Sequence, residues 1–213
     1  MDFSEFKDKI VKVKKMELPG EEFHLKMAPL ERLLELKRQA REAKTARKAA
    51  VLVLFYPSEN NETYFVLILR KTYKGVHSAQ VGFPGGKWEE GDEDYQATAL
   101  RETREELGVT EESIKVHRKL TEIYIPPSNF FVQPYLGTTH QMPLFVPQEE
   151  EVEAIIEVPL AEFMDDAIKI TKTLTTSYAK EIDVPAFLLQ NNVVWGATAM
   201  MLNEVREMLK QLL

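Results

Sequence analysis

Phe3, Phe6, Ile10 and Val13 recur at three- and four-residue intervals, the spacing that lines up one face of a helix and predicts one over residues 3–14. A second helix is expected from Pro29 to about Lys48, with proline at its start. The period then changes. AAVLVLFY (49–56) and TYFVLILRK (63–71) are apolar and β-branched, and Pro57 to Asn61 between them favours a turn, so a hairpin of buried strands is predicted. Further strands are expected near 113–125, 131–137 and 152–158, with weaker candidates at 168–178 and 184–194. Helices are expected at 94–107 and 196–212. Pro126, Pro127 and Ser128 mark a break between strands, and Gln148 to Glu151 follow Pro147 in an acidic loop. Strands and helices mixed in this order, with antiparallel hairpins, predict an α/β fold in which helices sandwich a curved sheet.

Composition narrows this picture. A chain of 213 residues suits one domain with a terminal extension. Hydrophobic residues at 44% and charged ones at 29% are ordinary for a globular protein. The net charge of −7 argues against general nucleic-acid binding, which needs surplus Lys and Arg to displace counterions. Arg32, Lys37, Arg38, Arg41, Lys44, Arg47 and Lys48 form a basic stripe on the second helix, readable as a phosphate contact or as a solvated helix face. Cysteine is absent, which removes disulfides, thiolate nucleophiles and cysteine-based zinc sites and fits a reducing compartment. The N-terminal stretch lacks the apolar core of a signal peptide, and no run of roughly eighteen apolar residues occurs. A cytoplasmic location without membrane contact is expected.

The chemistry concentrates at 83–109, FPGGKWEEGDEDYQATALRETREELGV. On a helix ended by Gly108, the residues Glu102, Glu105 and Glu106 fall within an arc of about 100°, while Leu100, Thr103 and Leu107 cluster opposite. Carboxylates so placed repel one another, and a divalent cation relieves the repulsion. Carboxylate oxygens are the hard ligands Mg²⁺ and Mn²⁺ prefer, completed by waters and substrate phosphates. Gly85 and Gly86 allow the backbone to approach a metal or substrate closely, and Arg101, one turn before Glu105, is placed to orient it by a bidentate bond. The plain alternative for RETREELG is a surface helix of mixed charge.

The flanking residues decide between these readings. Gly86, Glu93, Arg101, Glu102, Glu105, Glu106 and Gly108 resemble the Nudix box, with two departures: the loop from Gly86 to Glu93 is one residue longer, and Thr103 replaces an apolar residue. Both are similar to the coenzyme A pyrophosphatase subfamily. So is LRKTYKGVHSAQVGFPGG (69–86), in which Arg70, His77, Gln80 and Phe83 to Gly86 match that subfamily's additional motif. Lys71, Gly75 and Ala79 depart from it. Gly75 stands where a second Arg is usual, leaving Lys71 or Lys74 to meet an anionic part of the substrate. Ser128 to Pro134, Glu151-Val152 and Val194-Trp195-Gly196 extend the likeness over roughly 48–212.

The resemblance implies a Nudix-type α/β/α sandwich at 48–213, with 1–47 as an N-terminal helical extension. It implies Mg²⁺ or Mn²⁺ held by Glu102 and Glu106, with Glu105 assisting and the Gly85 carbonyl as a further ligand. Arg70, His77, Gln80 and Gly86 would contact substrate. The general base would be Glu105 on the helix, or Glu151 or its neighbours Glu149 and Glu150 on the acidic loop. His77 is otherwise structural, and Trp195 either stacks on adenine or belongs to the core. The implied substrate is coenzyme A or a derivative, cut into 3′,5′-ADP and 4′-phosphopantetheine. ADP-ribose or a dinucleotide is the alternative substrate, and a non-catalytic nucleotide-sensing module the alternative role. Members of this family often dimerise, so a homodimer is among the assemblies it implies.

Overall fold

The computed structural model describes residues 1–29, 38, 45–71, 80–174 and 181–213. Five helices and eleven strands follow one another along the described chain. Helices α1 (Phe3–Ile10) and α2 (Glu21–Leu25) precede strands β1 (Arg47–Pro57), β2 (Thr63–Arg70), β3 (Val81–Gly82) and β4 (Gly85–Lys87). Helix α3 (Tyr95–Leu107) leads to β5 (Ile114–Lys119), β6 (Ile123–Ile125), β7 (Phe130–Thr139) and β8 (Val152–Pro159). Helix α4 (Leu160–Met164), β9 (Lys169–Leu174), β10 (Ile182–Leu189), β11 (Asn192–Trp195) and helix α5 (Gly196–Leu212) complete it.

Among the described residues, eight strands form one mixed sheet, with β1 at its centre and its only parallel pairing between β1 and β7. The predicted hairpin is present: Phe55 faces Phe65 and Pro57 faces Thr63 across β1 and β2. Further along, the two strands separate. The start of β1 pairs with β4, and the far end of β2 pairs with β3. Phe83 and Pro84 therefore sit in the fork between them, and Gly85 is delivered beside the end of β2. This fork is what brings Arg70 and the two glycines together. Strands β9, β10 and β11 form a separate antiparallel sheet.

Alternation along β1 explains the layers, since successive side chains of a strand point to opposite faces. Ala50, Leu52, Leu54 and Tyr56 pack with Ala99 and Leu107 of α3 on one side. Ala49, Val53 and Phe55 face the other side, where Phe3, Phe6, Ile10, Leu202, Val205 and Leu209 complete the larger core. The sandwich is thus helix, sheet, helix. The described N-terminal residues share this core: Phe6 lies 4.9 Å from Phe55, ring to ring. Asp2 caps α1 and bonds Asn61 in the β1–β2 turn. His24 pairs with the fully buried Glu204 of α5 at 2.9 Å, which also accepts from the Thr121 hydroxyl at 2.5 Å.

Several expectations shift in detail. Arg47 and Lys48 belong to β1, not to a helix. Arg47 donates to the Ser128 carbonyl and covers the Phe130 ring, while Lys48 pairs with Glu122 over Phe131. Both brace β1 against the β6–β7 turn, so they are not part of a phosphate stripe. Most of the expected helix at 29–48, with Arg32, Lys37, Arg41 and Lys44, lies outside the described residues. The expected strand at 113–125 is broken after Lys119, where Leu120 turns into the core. The stretch 184–194 is two strands joined by Gln190 and Asn191, both at positive φ. Trp195 is half-buried at the end of β11. Among the described residues no helix is long and apolar enough to cross a membrane.

Candidate active site

Helix α3 begins at Asp94, whose side chain accepts from the Ala97 amide at 2.8 Å, and ends at Gly108 in the left-handed region at φ 71°. The first cap satisfies an amide that has no partner within the helix, and the second reverses the chain at little steric cost. Beyond the helix, the amides of Val146 and Gln148 donate to the carbonyls of Leu107 and Glu106 at 2.9 and 3.1 Å. These bonds tie the acidic loop to the end of α3. They place Glu151 where its charge acts on Glu102. Glu149 and Glu150 are exposed.

Glu106 is 1% exposed and accepts two bonds, which a third between Arg70 and Gly85 closes into a ring. Arg70 Nη1 donates to its Oε1 at 2.7 Å, the Gly85 amide donates to its Oε2 at 2.8 Å, and Arg70 Nη2 donates to the Gly85 carbonyl at 2.7 Å. Burial pushes the Glu106 carboxyl up to about 7, against the pull of Arg70 and the Gly85 amide, with Glu102 adding repulsion. Burial also raises Glu102; Arg101 opposes this, and Glu105 and Glu151 add to it.

Gly85 is irreplaceable on geometric grounds. At φ 145° a Cβ there would stand 2.3 Å from the Ala50 carbonyl oxygen and 2.5 Å from the Val51 Cα, and side chains rarely adopt that backbone region. Gly86 serves a different purpose. A Cβ on it would fall 2.4 Å from the Glu102 carboxyl, so its bareness lets that carboxylate lie against the β4 backbone.

Arg101 corrects one expectation. Its bidentate partner is Asp92, through Nε to Oδ1 at 2.8 Å and Nη2 to Oδ2 at 3.0 Å. Only Nη1 remains for the carboxylates of α3, where it meets Glu102 and Glu105 at 3.0 Å each. Asp92 is buried and also accepts from the Thr98 hydroxyl and the Glu89 amide. The Arg101 bond holds its carboxyl well below the usual range, at about 2. Glu93, the residue chosen by motif spacing, is exposed. Sequence reasoning missed Asp92 because the longer loop places two acidic residues next to each other. Spacing alone does not separate the two, because Asp92 and Glu93 both precede the first residue of α3.

Of the candidate residues, Arg70, Gly85, Gly86, Arg101, Glu102, Glu105, Glu106 and Glu151 converge on this region. Glu105 is the most exposed of the helix carboxylates, at 44%. The Gln80 carbonyl accepts the Arg70 amide at 3.1 Å. His77, with Lys74, Gly75 and Ala79, lies outside the described residues.

The donor set fits a divalent cation. Glu102, Glu106 and the Gly85 carbonyl are hard oxygen donors, and the raised carboxyls record a strain that a cation relieves. Among the described residues no three His, Asp or Glu side chains are gathered to hold a metal unaided. An ion here would need backbone oxygen, water and substrate phosphate as well, the arrangement Mg²⁺ usually adopts.

Comparison with known proteins identifies the family. A family model described as the NUDIX domain matches residues 46–176. The chain is 31% identical over 180 residues to the uncharacterized Nudix hydrolase NudL of Pectobacterium atrosepticum, covering 81% of this chain and 88% of that protein. It is 30% identical over 162 residues to Nudix hydrolase 22, chloroplastic, of Arabidopsis thaliana, covering 73% of this chain. The chain spans only 53% of that plant protein, and 42% of the mitochondrial Nudix hydrolase 15 from the same plant. In fold it is similar to the Nudix hydrolase RenU of M. smegmatis, with TM-score 0.54 and 16% identity over 79% of this chain and 88% of that one. It is similar as well to the NUDIX domain of Shewanella oneidensis NrtR, whose structure was determined with ADP ribose, with TM-score 0.51 and 18% identity over 84% of this chain and 97% of that one. With the family model covering more than half of its length, and the box residues assembled around one buried carboxylate, the chain belongs to the Nudix hydrolase family.

Proposed function

We propose that this protein hydrolyses the diphosphate of a nucleotide derivative with the help of Mg²⁺ or Mn²⁺, and that the substrate is coenzyme A or one of its derivatives. The observation that carries the chemistry is the buried Glu106, raised to about 7 and set beside Glu102 against two bare glycines. A binding module has no need of such a costly cluster. Arg70, Gln80 and the Phe83–Gly86 block favour coenzyme A, because they match the subfamily's upstream motif. We place the Nudix domain at 48–213 and read 1–47 as an N-terminal extension, of which Phe3, Phe6, Ile10, Val13 and Met27 pack into the larger core.

Glu102, Glu106 and the Gly85 carbonyl would hold the ion. When bound, it supplies charge neutralisation at the bridging phosphates and acidifies a water. The chain's own residues do the rest. Arg101 orients Glu102 and Glu105 from its anchor on Asp92. One carboxylate oxygen of Glu105 is already engaged by Arg101, whereas the Glu151 side chain has no hydrogen bond among the described residues. We therefore assign the base to Glu151, which takes a proton from the water as it attacks phosphorus and the anhydride P–O bond breaks. The products are 3′,5′-ADP and 4′-phosphopantetheine.

The test is a product profile with coenzyme A, an acyl-coenzyme A, ADP-ribose and a dinucleotide supplied in parallel. Preferential release of 3′,5′-ADP supports the reading. Preference for ADP-ribose or the dinucleotide would retain the chemistry and replace the substrate, with Gly75 as the residue marking the altered pocket. No turnover of any of them would favour a sensing module.

A further inference from the structure

We propose that Arg70 is an exchangeable counter-cation, which holds Glu106 and Gly85 until a divalent ion draws on the same oxygens and then turns to the substrate diphosphate. The inference rests on reading Glu106 and Gly85 as cation ligands. Its basis is that the Arg70 guanidinium already bridges the two oxygens in question, Glu106 Oε1 and the Gly85 carbonyl, at 2.7 Å each.

Glu106 is buried and needs a positive partner, since an unpaired buried charge is strongly disfavoured. Arg70 is that partner, because Arg101 is committed to Asp92, Glu102 and Glu105. A dication sharing the Glu106 and Gly85 oxygens would stand close to the guanidinium, and like charges at such range repel. The Arg70 backbone cannot yield. Its amide is bonded to the Gln80 carbonyl, the next amide, of Lys71, is bonded to the Glu151 carbonyl, and Arg70 pairs with Val152 across the bulge in β2. Only the side chain can move, and it is 22% exposed, so it has an open direction to take. A planar guanidinium released beside the glycines presents the two-pronged donor geometry that phosphate oxygens accept. Arg70 would thus link ion binding to substrate binding, with the ion entering first.

The experiment is nuclear magnetic resonance on the whole protein with labelled arginine and glutamate, following the Arg70 guanidinium protons and the Glu106 carboxyl carbon during a Mg²⁺ titration. Arg70→Lys and Glu106→Gln serve to assign the two signals. Release from charge-assisted bonds is expected to speed Arg70 guanidinium exchange by roughly tenfold or more, with the same Mg²⁺ midpoint as the Glu106 shift. Adding a methylene-bridged nucleoside diphosphate should then restore protection. A Glu106 shift with Arg70 unchanged would overturn the exchange and leave the metal reading standing. If neither signal responds, the metal reading fails and the exchange fails with it. If protection does not return with the diphosphate analogue, Arg70 does not pass to the substrate.

Discussion

Asp92→Asn removes the charge that anchors Arg101 while keeping the size of the side chain. In the folded protein the Asp92 carboxyl is lowered from 3.8 to about 2, first by its bond to Arg101. A shift of nearly two units corresponds to about 2 kcal/mol of stability at neutral pH. For a chain of this size, that is a fall in Tm of roughly 4–8 °C. The sign follows from proton binding. As pH falls through 4 the unfolded chain takes up the proton before the folded one, so the contribution is complete above about pH 5, shrinks between 4 and 2, and vanishes below. Urea unfolding of wild type and Asp92→Asn at pH 7, 5, 4 and 3 should therefore show a gap that closes with acid. Glu93→Gln, at the exposed position favoured by motif counting, should change stability by less than about 0.5 kcal/mol. A gap as wide at pH 3 as at pH 7, or an equal loss from Glu93→Gln, would refute the assignment of Asp92 as the anchor.

Gly85→Ala should cost more than about 3 kcal/mol, because the added carbon meets backbone at a positive φ. Gly86→Ala should fold, since only the mobile end of Glu102 is displaced, and lose Mn²⁺ affinity; paired thermal melts and Mn²⁺ titrations check both. His117 is held neutral, its imidazole lowered to about 4 by burial and then by Lys115, Lys14 and His140, and its Nδ1 has no partner among the described residues. The unfolded chain binds that proton first as pH falls from 6.5 to 4, so on the order of 3 kcal/mol is lost across that window, and denaturant titrations of His117→Val should show a flatter profile there. Glu204→Ala leaves His24 and the Thr121 hydroxyl without their buried acceptor, and should cost about 3–5 kcal/mol and expose residues 1–28 to limited proteolysis.

The main layers were legible because periodicity and burial coincide. The alternation along 49–56 separates the two cores, and the helix at 94–107 was bounded within one residue by Asp94 and Gly108. The glutamates and glycines were legible from their spacing. What pattern could not supply was the fork between β1 and β2. Strands of two and three residues at β3 and β4 carry no readable period, yet they bring Arg70 from one strand onto Glu106 of a helix 36 residues later. Asp92 was hidden for a related reason: with two adjacent acidic residues, only the bend of the loop decides which one turns inward. The short helices α2 and α4, of five residues each, depend on tertiary packing and have too few turns to announce themselves.

The central claim, that Glu106 is part of a metal-dependent diphosphate hydrolase, is tested most directly by incubating pure protein with coenzyme A and ADP-ribose. Wild type and Glu106→Gln would each be assayed with Mn²⁺ and with excess chelator. The account predicts diphosphate cleavage by the wild type with Mn²⁺ alone, and a loss of at least about a hundredfold in the variant, as expected when a group acting in the transition state is removed. Cleavage that persists with chelator, or in Glu106→Gln at the wild-type rate, would contradict it.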